Sequence, residues 1–143
     1  MVALLALSTV PVSSTGTDGS LTVGLTVRNT GQRAGVEVIQ LYLHDPVASV
    51  VRPVNRLIGY ARVPLDTGET ASVTFDVPAD VTAFTGRDGS RIVEPGALQL
   101  RFGASSADLR LNAAVELIGE TRVVDHTRKL HCQLKEERPA WLP

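Results

Sequence analysis

With 143 residues, 43% of them hydrophobic and 20% charged, the chain has the size and composition of one globular domain rather than a disordered segment. Its formal net charge is −1, and its basic residues, almost all arginine, are scattered with no basic run. That excludes the broad positive field that nucleic acid or an anionic membrane surface would require.

From the N-terminus, Met1 to Leu7 is a short apolar run, and the first basic residue is Arg28. The run lacks the positive region of a secretory signal, so residues 1–19 are expected to form an N-terminal extension or an edge strand. The single Cys132 has no partner for an internal disulfide, so the fold does not require an oxidising compartment. These two features favour a cytoplasmic location and do not exclude secretion. No stretch reaches membrane-spanning length.

Strict alternation then begins. Leu21, Val23, Leu25 and Val27 interleave with Thr22, Gly24, Thr26 and Arg28. A two-residue period places every apolar side chain on one face, which predicts a strand buried on one side. In Val36 to His44, Glu37, Ile39, Leu41 and Leu43 share one face, while Val38, Gln40 and Tyr42 share the other. Two mostly apolar faces predict that something covers the outer one, either a C-terminal tail or a larger partner domain. Next comes the loop Asp45-Pro46-Val47-Ala48-Ser49-Val50-Val51-Arg52-Pro53. Its prolines fix φ at both ends and remove two donors, which stiffens the crossover. Val50 and its neighbours are unusually apolar for a surface loop, and the Arg52 guanidinium suits a bidentate contact across an interface.

Further alternating strands follow at Val73, Phe75 and Val77, at Leu98, Leu100 and Phe102, and at Leu109, Leu111, Ala113, Val115 and Leu117. Pro78 to Val81 suits one short helical turn, and Asp88-Gly89 suits a hairpin joining Thr85 to Ile92. Turn signals separate the strands: Asp18-Gly19, Asn29-Thr30-Gly31, Asp66-Thr67-Gly68 and Glu94-Pro95-Gly96. Such spacing predicts an all-β, antiparallel two-sheet sandwich over residues 20–119. After Gly119 the alternation fades, and residues 120–143 are expected to form a partly disordered C-terminal extension.

No constellation of catalytic type emerges. General acid–base hydrolysis would need carboxyl groups converging from an apolar setting that raises the pKa of one of them. Here Asp66, Glu69 and Asp80 read as solvated loop acids, and Glu116, Asp76 and Glu37 alternate with apolar neighbours, which points them to solvent. His44, His126 and His131 lack metal-ligand spacing, and Cys132 has no second thiol beside it. The reading therefore assigns no catalytic residue, no metal and no cofactor.

Taken together, Gln40-Leu41-Tyr42, Asp45-Pro46, Arg52-Pro53, Leu57-Ile58-Gly59-Tyr60, Glu94-Pro95-Gly96 and Ser105-Ser106 closely resemble one known module. It is the fibronectin type III-like C-terminal domain of glycoside hydrolase family 3 enzymes, the β-glucosidases and β-xylosidases. The resemblance implies a fibronectin type III or immunoglobulin-like sandwich. It also implies an accessory role beside a catalytic barrel and a second domain, in cis or from a split gene, because the family's catalytic acids lie on other domains. The residues expected to dock on those domains are Asp45, Pro46, Val50, Arg52, Pro53, Val38, Gln40 and Tyr42. The competing reading is a free-standing carbohydrate-binding or adhesive sandwich, for which six scattered aromatic residues make a poor sugar platform.

Overall fold

The computed structural model describes residues 2–9, 14–46 and 55–138, with side chains described from residue 14 onward. Twelve strands run through them. They are β1 (Val2–Thr9), β2 (Ser14–Gly16), β3 (Ser20–Asn29), β4 (Gly35–His44), β5 (Arg56–Leu65), β6 (Thr70–Pro78), β7 (Phe84–Thr85), β8 (Arg91–Val93), β9 (Gly96–Ser105), β10 (Asp108–Ile118), β11 (Arg122–Val123) and β12 (Gln133–Glu137). A single 3₁₀ turn, Ala79–Thr82, follows Pro78 as its N-cap.

One sheet has the order β1-β3-β6-β12 and the other β2-β10-β9-β4-β5, with a small third sheet, β11-β8-β7, at one end. All pairings are antiparallel except β10 with β2. This is the all-β sandwich expected from the alternation, and the 3₁₀ turn and the β7–β8 hairpin stand where Pro78 and Asp88-Gly89 placed them.

The alternating residues form the core. Leu21, Val23, Leu25, Val27, Val73, Phe75 and Val77 of one sheet face Ile39, Leu41, Leu43, Leu98, Leu100 and Phe102 of the other, all of them buried. Phe75 and Phe102 meet across the gap with ring centroids 5.8 Å apart and planes tilted by 42°, a geometry that aromatic pairs favour over face-to-face stacking. Each large side chain buried in this layer contributes roughly 1.5–3 kcal/mol.

Two turns show why their residues are needed. Asn29 is wholly buried. Its Nδ2 donates to the carbonyls of Arg33 (2.8 Å) and Leu65 (3.1 Å), and its Oδ1 accepts from the Gly31 amide at 2.9 Å. This satisfies the amide side chain completely and ties the β3–β4 turn to the end of β5. Gly68, at φ +77, closes the β5–β6 turn and donates its amide to the Asn29 carbonyl at 2.9 Å, a conformation that costs a residue with a Cβ.

The stretch after β10 is anchored at several points. Arg122 donates from Nε and Nη2 to the Thr17 carbonyl at 3.0 and 2.9 Å, and Nη2 also pairs with Asp80. The other Asp80 oxygen accepts from the Lys129 amide at 2.9 Å. β12 adds to the edge of β6, from Gln133 opposite Asp76 to Glu137 opposite Ser72. Arg138 then reaches the Pro64 carbonyl on β5 at 2.6 Å and Glu69 at 2.6 Å. The tail thus spans the seam between the open edges of the two sheets, which protects β6 as a sheet edge.

Candidate functional site

The outer side of β4 and β5 is the surface that the pattern of β4 singled out. Cross-strand register sets Val36 opposite Pro64, Val38 opposite Arg62, Gln40 opposite Tyr60 and Tyr42 opposite Leu57. The register slips between Leu41 and Tyr42, because Leu41 pairs with Gly59 and Tyr42 with Leu57. This bulge at Ile58 keeps Leu57 on the same outer side as Tyr60. Four large apolar side chains of this face are exposed: Val36 (47%), Val38 (38%), Leu57 (50%) and Tyr60 (66%). Residues 133–137 of the tail pair with β6, and residues 128–132 share a cleft with Leu57 and Tyr60 while leaving both exposed.

Gln40 and Tyr42 occupy the middle of this face. The Tyr42 hydroxyl donates to Gln40 Oε1, and Tyr42 is buried although it points away from the core. Its register neighbour on β9 is Arg101. That guanidinium donates to Asn55 Oδ1 at 2.9 Å and to Gln99 Oε1 at 2.7 Å, so it fixes the point where the chain re-enters β5. Asp45 is half-buried and Pro46 exposed, immediately after β4. Val50, Arg52 and Pro53 lie outside the described residues. The structure therefore brings Val38, Gln40 and Tyr42 together on one face, with Asp45 and Pro46 following the end of the same strand.

Two expectations about acids are corrected. Asp80 is not a solvated loop acid, because the 3₁₀ turn packs it against the tail and leaves only 16% of its side chain exposed. Burial alone would raise its carboxyl, but the bonds from Arg122 and the Lys129 amide outweigh this and hold it below 3.8. Glu37 stands on the Ile39 side of β4, half-buried, where its charge acts on Arg110. Parity, not outward alternation, sets its direction. Asp76 and Glu116 do sit between buried neighbours.

Four carboxyl groups depart clearly from their ordinary values, and all four shift downward. Glu69 is held mainly by its bond from the Asp66 amide, Asp108 by Arg110, Asp125 by Thr127, and Asp80 as above. A general acid needs the opposite shift. Among the described residues, no group of three His, Cys, Asp or Glu side chains is placed to hold a metal ion, and no helix is long and apolar enough to cross a membrane.

The two packed sheets with a small third sheet define an all-β sandwich domain. The profile of the fibronectin type III-like domain matches residues 37–106. A β-glucosidase from Bacteroides ovatus is 39% identical over 103 residues, which is 71% of this chain and 14% of that protein. A β-xylosidase from Formosa agariphila is 39% identical over 94 residues, 66% of this chain and 13% of that protein. Among solved structures, a mutant β-glucosidase from Listeria innocua in complex with laminaribiose superposes with a TM-score of 0.77 at 34% identity, covering 84% of this chain and 16% of that one. A β-glucosidase from Kluyveromyces marxianus gives 0.76 at 27% identity, over 86% and 14%. The chain is thus similar to a part of family 3 glycoside hydrolases, with residues 37–106 resembling a fibronectin type III-like domain. It spans about one seventh of the length of these relatives.

Proposed function

We propose that this chain is a non-catalytic accessory module that buttresses the catalytic domains of a family 3 glycoside hydrolase acting on β-linked glycosides. The observation that carries the reading is the uncovered face of β4 and β5. Val36, Val38, Leu57 and Tyr60 are exposed on it, interspersed with Arg62 opposite Val38 and Gln40 opposite Tyr60, and large apolar side chains left exposed on one face mark an interface. Gln40 and Tyr42 supply its hydrogen-bonded centre. Asp45 and Pro46 at the end of β4, with Val50, Arg52 and Pro53 further along the sequence, are the other residues proposed to contact those domains. The partners are a catalytic barrel and a second domain, in cis or from a split gene.

That the chain matches only about one seventh of the length of its β-glucosidase and β-xylosidase relatives supports the reading that the chemistry lies on other domains. The test is to assay the purified chain on aryl β-glucosides and aryl β-xylosides. The reading expects no turnover above buffer, and clear turnover would overturn it. Retention on insoluble cellulose or xylan would favour a carbohydrate-binding module instead.

A further inference from the structure

A cleft of about 420 Å³ opens between β5 and the tail. Its walls carry Leu57, Ile58 and Tyr60 on one side and Arg128, Lys129 and Arg91 on the other. Asp80 is its one carboxylate among the described residues, and that charge is already committed to Arg122 and the Lys129 amide. The cleft is therefore positive in a chain whose net charge is −1.

Arg91 gives the cleft its chemistry. Its Nε is buried and has no hydrogen-bond partner, and its Nη1 makes only a 3.5 Å contact with Thr85 Oγ1. The Nε itself is closed to solvent, so the terminal nitrogens are the donors a ligand in the cleft would meet, and a guanidinium is shaped to take a carboxylate through two parallel N–H bonds. Arg128 and Lys129 add charge at the rim. Tyr60 is exposed over two-thirds of its surface at the opposite rim, where an aromatic face receives the apolar side of a sugar ring. The volume lies within the range of small-molecule pockets.

We infer that this cleft binds a carboxylated sugar ring of monosaccharide size, a hexuronate, with the carboxylate on Arg91 and the ring against Tyr60. The site borders the docking face: Leu57 and Tyr60 belong to both, whereas Val36 and Val38 belong to that face alone. A bound hexuronate would pair with the Arg91 terminal nitrogens and add a ligand-recognition surface to the module.

The test is a titration of the full chain with sodium glucuronate, followed by amide chemical shifts, with glucose and sodium acetate at matched ionic strength as comparisons. Saturable shifts centred on Arg91, Lys129 and Tyr60 are expected for glucuronate, with much weaker responses to glucose and acetate. Arg91→Gln should weaken glucuronate binding at least about tenfold, the effect of losing a charge-assisted bond. Tyr60→Ala, at an exposed position that the fold does not need, should weaken it severalfold. Unchanged melting temperatures would show both variants folded. No saturable shift for glucuronate, an equal response to glucose or acetate, or an Arg91→Gln variant that binds as tightly as the parent chain would overturn the proposal.

Discussion

Asp80 and Arg122, 42 positions apart, form the ion pair that latches the tail to the sandwich. The Arg122 guanidinium also bridges to the Thr17 carbonyl, so one side chain joins the 3₁₀ turn, the β2–β3 turn and β11. Asp80→Ala should cost about 1–2 kcal/mol, the effect of leaving charge-assisted bonds unmade. Hydrogen exchange checks this directly: amides of Lys129 and β12 should exchange faster, while those of β4 and β9 should not change.

The same carboxylate sets an acid limit. Its folded value lies below 3.8, beneath that of an unfolded aspartate, so its contribution is fully present above about pH 4 and is lost as the pH falls through the folded value. Melting temperatures from pH 6 to pH 3 should fall more steeply for the parent chain than for Asp80→Asn, which has no such proton to take up. Parallel curves would contradict the latch.

Gly103 is required by space. A Cβ added there would stand 2.1 Å from the Asp108 carbonyl oxygen and 3.0 Å from the Leu109 Cα, where the β9–β10 register slips. Backbone cannot yield as a flexible side chain does, so Gly103→Ala should destabilise by about 2 kcal/mol or more. Gly35→Ala, which meets nothing within 4 Å, is the control and should change the denaturation midpoint little.

Cys132 should be an inert thiol. Burial first, then the charge of Asp76, pushes it up to about 11. Its Sγ donates to the Ile58 carbonyl at 3.4 Å. Only the thiolate alkylates, so iodoacetamide at pH 8 should label the folded chain about a hundredfold more slowly than the unfolded one. Comparable rates would show that the tail does not cover it.

The core was legible because burial on one face forces alternation. Leu21 to Val27 and Leu98 to Phe102 need only their own period to declare a buried side. The two-faced character of β4 likewise pointed to the outer surface through Val38 and Tyr42. The last strand of the tail was not legible for the opposite reason. Gln133 to Glu137 are all exposed, and they form a strand because β6 offers unpaired backbone, which no side-chain pattern reports. Asp80 was misread because its partner is remote in sequence. The cleft was missed because its two walls, β5 and residues 128–132, meet only through that tail. One signal was present: Arg128, Lys129 and His131 lie close together in a chain whose other cations are dispersed.

The central claim is that the face of β4 and β5 seats this module on catalytic domains. A chimera tests it most directly, with this chain replacing the matching region of the Bacteroides ovatus β-glucosidase and carrying or lacking Val38→Asp. Val38 is exposed in the isolated chain, so Val38→Asp should leave that chain's melting temperature nearly unchanged. The parent chimera should retain β-glucosidase activity, and the Val38→Asp chimera should lose most of it as a buried, unpaired charge disrupts the interface. Equal activity of the two chimeras would contradict the account.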